Sequence, residues 1–110
     1  MLSDRNSRPT AVFCGTDPIA MVVLRIARRL GLRVPGDLSV VGFANMSMAE
    51  LSDPPLTTIE EPFAEMGRVT VRRLIKDIGL ENKKSLQKQI EETLPVRLIV
   101  RESTGPKQGR

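Results

Sequence analysis

Two short apolar runs separated by an amphipathic stretch constrain this chain more than any other feature. The first run is Thr10 to Cys14, and the second, LSVVGF, is Leu38 to Phe43. Their apolar character is continuous rather than alternating, which reads as strands covered on both faces. Between them Ile19, Val22, Val23, Ile26, Ala27 and Leu30 recur at helical spacing, and Arg25, Arg28 and Arg29 fall mainly on the other side. Gly31 is a helix stop, and Pro35, Gly36 and Asp37 make a turn. Residues 10–43 therefore spell strand, helix, strand. That is a βαβ unit, and its right-handed crossover requires parallel strands. The fold class is α/β.

Residues 1–9 are polar, end in Pro9 and read as a disordered or extended lead-in. Residues 44–53 form a loop with one helical turn at Ser47 to Leu51. LTTIEE, Leu56 to Glu61, is extended and β-branched. Pro62 opens a second helix with Phe63, Met66, Val69, Thr70, Leu74 and Ile78 on one side, and Gly79 ends it. Residues 80–89 are a polar, charged loop. Ile90 to Val100 reads as two short strands broken at Pro95, and the polar tail from Arg101 is expected to fray.

Several chemistries are disfavoured at once. The chain has no histidine, which removes Ser-His and Cys-His catalysis and the commonest metal ligand. Its single cysteine, Cys14, permits no internal disulfide and sits in an apolar run, in an expected strand, with no histidine nearby. The neighbouring carboxylates Glu60-Glu61 and Glu91-Glu92 point to opposite faces of extended chain, so they form no acid/base pair. The expectation is no enzyme, no metal and no cofactor. The net charge of +4 is scattered among acids and lacks the stacking aromatics of a nucleic-acid footprint. No stretch is long and apolar enough to cross a membrane, and the first residues do not resemble a secretory signal. The expected location is the cytoplasm.

The junction after each strand is the candidate site. In open α/β sheets, ligands bind outside the carboxyl ends of the strands. Those ends here are Gly15-Thr16-Asp17 and Phe43-Ala44-Asn45. Parallel strands would bring a Thr hydroxyl, an Asp carboxylate and an Asn amide to one rim, suited to a hydroxyl-rich ligand such as a sugar or nucleoside. Thr16, Asp17, Phe43 and Asn45 are the candidate ligand-binding residues. Asp17 before Pro18 has a second explanation, namely helix capping and the helix dipole. The two roles are compatible.

Four blocks in register then carry a family resemblance. PTAVFCGTDPIAMVVLRIARRLGLRVPGDLSVVGF, DPPLTTI, PFAEMGRVTVRRLI and LPVRLIVREST together resemble the C-terminal part of a LacI/GalR-type transcriptional regulator. The resemblance covers about residues 9–104. It implies a partial periplasmic-binding-protein-like (type I) fold, with residues 10–57 in the C-terminal effector subdomain. Residues 58–93 would hold the crossover, one helix of an otherwise missing N-terminal subdomain and the polar loop. Residues 94–104 would be the return strand, and 105–110 a disordered tail. The chain then reads as a fragment of a metabolite-responsive regulator, lacking the DNA-binding helix-turn-helix. The alternative is a periplasmic-type small-molecule-binding protein without DNA function.

The resemblance also implies partners. They are a sugar- or nucleoside-like effector, operator DNA for the full-length parent only, and a second copy of the chain. By position, Met21, Arg25, Leu51 and Ser52 would lie at the homodimer surface. Where the family commonly carries an acidic residue after its Gly-Phe pair, this chain has Ala44, and Asn45 follows it.

Overall fold

The computed structural model describes residues 2–4, 6–79 and 91–108. The elements in chain order are β1 (Ala11–Phe13), α1 (Asp17–Arg29), β2 (Ser39–Val41), α2 (Ser47–Leu51), β3 (Thr58–Glu60), α3 (Phe63–Ile78) and β4 (Arg97–Ile99). The chain divides into two compact units. One comprises Met1–Glu60 with Arg97–Arg110, and the other is Glu61–Val96. The polar loop expected at residues 80–89, and Ile90 with it, lie outside the described residues.

The first unit is built on the expected βαβ. β1 and β2 pair in parallel with Val12 opposite Val40. A parallel bridge from Val41 to Thr57 extends the sheet on the other edge of β2. Gly42 N–H donates to the Thr57 carbonyl at 2.9 Å and Ala44 N–H to that of Ile59 at 2.8 Å. β3 then pairs antiparallel with β4, Ile59 opposite Leu98. The core comprises Cys14, Ala20, Leu24, Ala27, Leu38, Val40, Ala49 and Leu56. Burial pushes the Cys14 thiol pKa up, so the thiol stays protonated and unreactive.

α1 ends as its sequence requires. Gly31 adopts a left-handed φ of 68°. Its N–H donates to the Arg28 carbonyl, and Leu32 N–H donates to that of Ala27. These two bonds make a Schellman stop, which glycine permits at no steric cost. The buried face of α1 matches the expected one only at Ala27, with Val23 packed partly against the core. Ala20, Leu24 and Ala27 line the core beside Asp17, whereas Ile19, Val22, Ile26 and Leu30 stay exposed. The apolar arc of α1 is wider than one face, and its centre lies at Ala20, Leu24 and Ala27, because small side chains let the backbone approach the strands. β1 is likewise not covered on both faces, since Phe13 is 62% exposed.

Two described residues near the ends of the first unit pack where polarity does not suggest it. Leu2 packs against the core. The tail expected to fray from Arg101 instead docks along β2. Ser103 is fully buried. Its hydroxyl donates to the Val40 carbonyl at 2.6 Å and accepts from Thr57 N–H at 2.8 Å. One short side chain thus satisfies backbone groups on two strands. Of the two strands expected across Pro95, only β4 forms; described residues 91–96 are not strand.

The Pro35–Asp37 turn is tied down by charge. The Asp37 carboxylate accepts from the Arg33 backbone N–H at 2.8 Å and from its guanidinium at 3.0 and 3.1 Å. Those bonds hold the Asp37 pKa at about 2, below the ordinary 3.8. A depressed carboxylate pKa stabilises the fold above the unfolded value, and the contribution is lost as pH falls through the folded one. Acid unfolding followed by circular dichroism should therefore show a stability loss between about pH 4 and pH 2. Asp37→Asn should flatten that segment while leaving the curve above it parallel.

The second unit is built on α3. α3 has no buried residue, and Phe63, Leu74, Ile75 and Ile78 are more than half exposed. Met66, Val69, Leu74, Leu94 and Val96 line a groove of about 540 Å³ between α3 and the segment approaching β4. Among the described residues no helix is long and apolar enough to cross a membrane.

Candidate functional site

Parallel pairing of β1 and β2 sets their carboxyl ends on one edge of the sheet. A backbone bond joins the two ends directly, from Asp17 N–H to the Phe43 carbonyl at 3.0 Å. Thr16 is the N-cap of α1 in extended backbone, and its side chain makes no capping bond. Its hydroxyl is exposed at the rim. Phe43 is half-buried and meets Phe13 edge to face, with ring centroids 6.4 Å apart. The two rings give the rim an apolar wall beside its polar groups.

Asp17 lies beneath this rim and is fully buried. Its Oδ2 accepts from Met46 N–H at 2.7 Å, and its Oδ1 accepts from the Thr58 hydroxyl at 2.6 Å. Thr58 Oγ1 in turn accepts from Asn45 N–H at 3.3 Å. Neither carboxylate oxygen caps α1. The carboxylate instead grips the loop after β2 from both sides of Asn45. That loop needs gripping, because Ala44 and Asn45 have φ of 101° and 47°, left-handed values that cost an alanine about 1–2 kcal/mol. Gly42 allows the carboxylate to sit where it does. A Cβ there would press on Asp17 Oδ1 and lie 2.8 Å from Leu56 Cδ2.

Asn45 is held at both ends of its amide. Its Nδ2 donates to Glu60 Oε1 at 3.1 Å, and its Oδ1 accepts from Arg101 Nη2 at 2.8 Å. Arg101 also donates through Nη1 to the Leu56 carbonyl at 2.8 Å. Glu60 completes the chain by accepting from Arg97 Nε at 3.0 Å. Arg97, and then Asn45, hold the Glu60 carboxyl below its usual range. The rim thus has an exposed layer, Thr16 with the Phe43 ring, over a network of Asp17, Asn45, Thr58, Glu60 and Arg101. Sequence reading missed the last three. Thr58 and Glu60 looked like ordinary strand residues, and Arg101 looked like the start of a tail.

The four residues expected at a dimer surface are distributed unevenly. Leu51 is 84% exposed, Arg25 is exposed and Met21 packs partly on the core. Ser52 is half-buried, with its hydroxyl within bonding distance of the Ala49 and Pro54 carbonyls.

A family model described as periplasmic binding protein-like domain matches residues 1–104. The HTH-type transcriptional regulator DegA of Bacillus subtilis is 41% identical over 105 residues, which is 96% of this chain and 30% of that protein. The NTD biosynthesis operon regulator NtdR of the same organism is 38% identical over 103 residues, 94% of this chain and again 30% of the relative. The chain therefore spans about a third of the length of these curated relatives. Among solved structures, a LacI family transcriptional regulator from Enterococcus faecium with bound ribose superposes with a TM-score of 0.73 at 35% identity, covering 94% of this chain and 37% of that one.

Proposed function

This chain belongs to the periplasmic binding protein-like domain family, and on that premise we propose that it is an effector-binding and dimerisation module of a LacI/GalR-type transcriptional regulator. The effector is a sugar or nucleoside-like metabolite. Thr16, Phe43 and Asn45 contact it, and Asp17 builds the surface on which it rests. The observation that carries this reading is the shared edge of β1 and β2, which sets the exposed Thr16 hydroxyl beside the Phe43–Asn45 loop. A hydroxyl and an amide beside an aromatic wall match the alternating polar edge and apolar face of a sugar. The chemistry of the rim is binding, since no nucleophile with an adjacent base stands at it.

Dimerisation through Met21, Arg25, Leu51 and Ser52 is part of the same proposal, supported by the exposure of Leu51 and Arg25. The regulator's operator contacts and cytoplasmic location follow from the same reading. An effector that favours one arrangement of the regulator would shift its affinity for the operator.

The test is a titration of the isotope-labelled chain with ribose, glucose, sucrose, cellobiose and adenosine, read by amide chemical shifts. At least one of them should move the amides of Thr16, Phe43 and Asn45 saturably. Thr16→Ala should weaken that binding by about tenfold, the worth of one hydrogen bond. A panel that leaves all three amides unmoved would overturn the proposal.

A further inference from the structure

The two strands by which the chain leaves and re-enters the first unit are β3 and β4, and their outer ends are Glu60 and Arg97. The two residues are register partners and form an ion pair in which Arg97 is 73% and Glu60 37% exposed. An exposed pair of this kind contributes little stability by itself. Glu60, however, divides its carboxylate. Oε2 takes Arg97, and Oε1 takes Asn45 Nδ2 at 3.1 Å. Asn45 stands in the strained loop at the rim, where its neighbours Ala44 and Met46 are held by Ile59 and Asp17.

We infer that Glu60 is a positioning residue that couples the β3–β4 ribbon to the rim loop through the chain Arg97–Glu60–Asn45. Arg97 orients the carboxylate, the carboxylate orients the Asn45 amide, and the amide helps hold the left-handed pair at 44–45. A change in the ribbon at Arg97 therefore reaches the rim without touching it. By reciprocity, a ligand that orders the rim loop stiffens the ribbon. This last step rests on the effector reading above, whereas the coupling itself belongs to the chain without ligand.

Amide hydrogen exchange of the labelled, ligand-free chain tests it. Arg97→Ala should speed exchange at Ala44, Asn45 and Met46 by about fivefold, the lower end of the range for coupled sites. Exchange in the middle of α1 should stay unchanged. Arg97→Lys should restore most of the protection, and Arg97→Ala should add nothing in a Glu60→Gln background. Unchanged exchange at the three rim amides would overturn the inference. So would acceleration spread through α1, or effects of the two substitutions that simply add. Because no ligand is present, this failure is separate from a failure of the sugar and nucleoside titration.

Discussion

Asp17→Ala is expected to be the most damaging single substitution in the first unit, lowering its stability by about 3 kcal/mol, with two bonds to a charged acceptor lost and one buried donor left unpaired. The donors are the Met46 N–H and the Thr58 hydroxyl, which lie 2.7 and 2.6 Å from the carboxylate. The Thr58 hydroxyl is held where water does not replace the lost acceptor, since Asp17 and Thr58 are fully buried, whereas Met46 is partly exposed. Part of the loss is offset, because the carboxylate itself is desolvated in the native state. Urea unfolding followed by far-UV circular dichroism gives the value; the chain has no Trp or Tyr for fluorescence. Asp17→Ser discriminates between the two roles read from the sequence. Serine caps helices about as well as aspartate but is too short to reach both donors. A Ser variant within about 1 kcal/mol of the parent would restore the capping explanation. A Ser variant nearly as weak as Ala fits the buried anchor. Thr58→Val should likewise cost far less once Asp17 is already alanine.

Gly42→Ala is the second large effect, expected at about 3 kcal/mol, the upper part of the range for overpacked cores. The added methyl would press on Asp17 Oδ1 and on Leu56 Cδ2 at 2.8 Å. Neither neighbour can retreat cheaply. The carboxylate is pinned by its two bonds, and Leu56 is fully buried. Gly15→Ala is the control, because a Cβ at that glycine meets nothing within 4 Å. The same unfolding curves should show Gly15→Ala within about 0.5 kcal/mol of the parent. Gly42→Ala should also cost less in an Asp17→Ala background, where the methyl fills space that the carboxylate left. Equal costs in both backgrounds would mean that the glycine serves some other purpose than room for Asp17.

The proposed ligand rim and the main buried anchor of the fold thus meet in one small region. The rim's exposed residue, Thr16, lies directly next to the most buried charged group of the unit. Under that proposal, substitutions at the rim are best read by binding and stability together, since loss of a response at Asp17 would reflect a collapsed loop rather than a lost contact.

The parallel βαβ, the stop at Gly31, the short helix at Ser47 to Leu51 and the bounds of α3 were all legible in the sequence. Each of these depends on period and punctuation within a few residues: helical spacing, a glycine free to take a positive φ, a proline at a helix start. The shared edge carrying Thr16 and Phe43–Asn45 was legible for the same reason, since parallel strands must end together. Where the centre of α1's buried face falls is settled only by the closed fold, because Ala20 and Leu24 share helical period with the exposed Ile19, Val22 and Ile26, and only the fit against the strands chooses between them. The tertiary structure also decided what Asp17 does. Its partners Met46 and Thr58 lie 29 and 41 residues away, and nothing local to Asp17 distinguishes an anchor from a cap. Ser103 makes the same point more sharply, with partners 46 and 63 residues distant in a segment whose polarity reads as tail. Periodicity records how a segment folds on itself, whereas a buried polar side chain is placed by whichever distant backbone groups the closed fold leaves without partners.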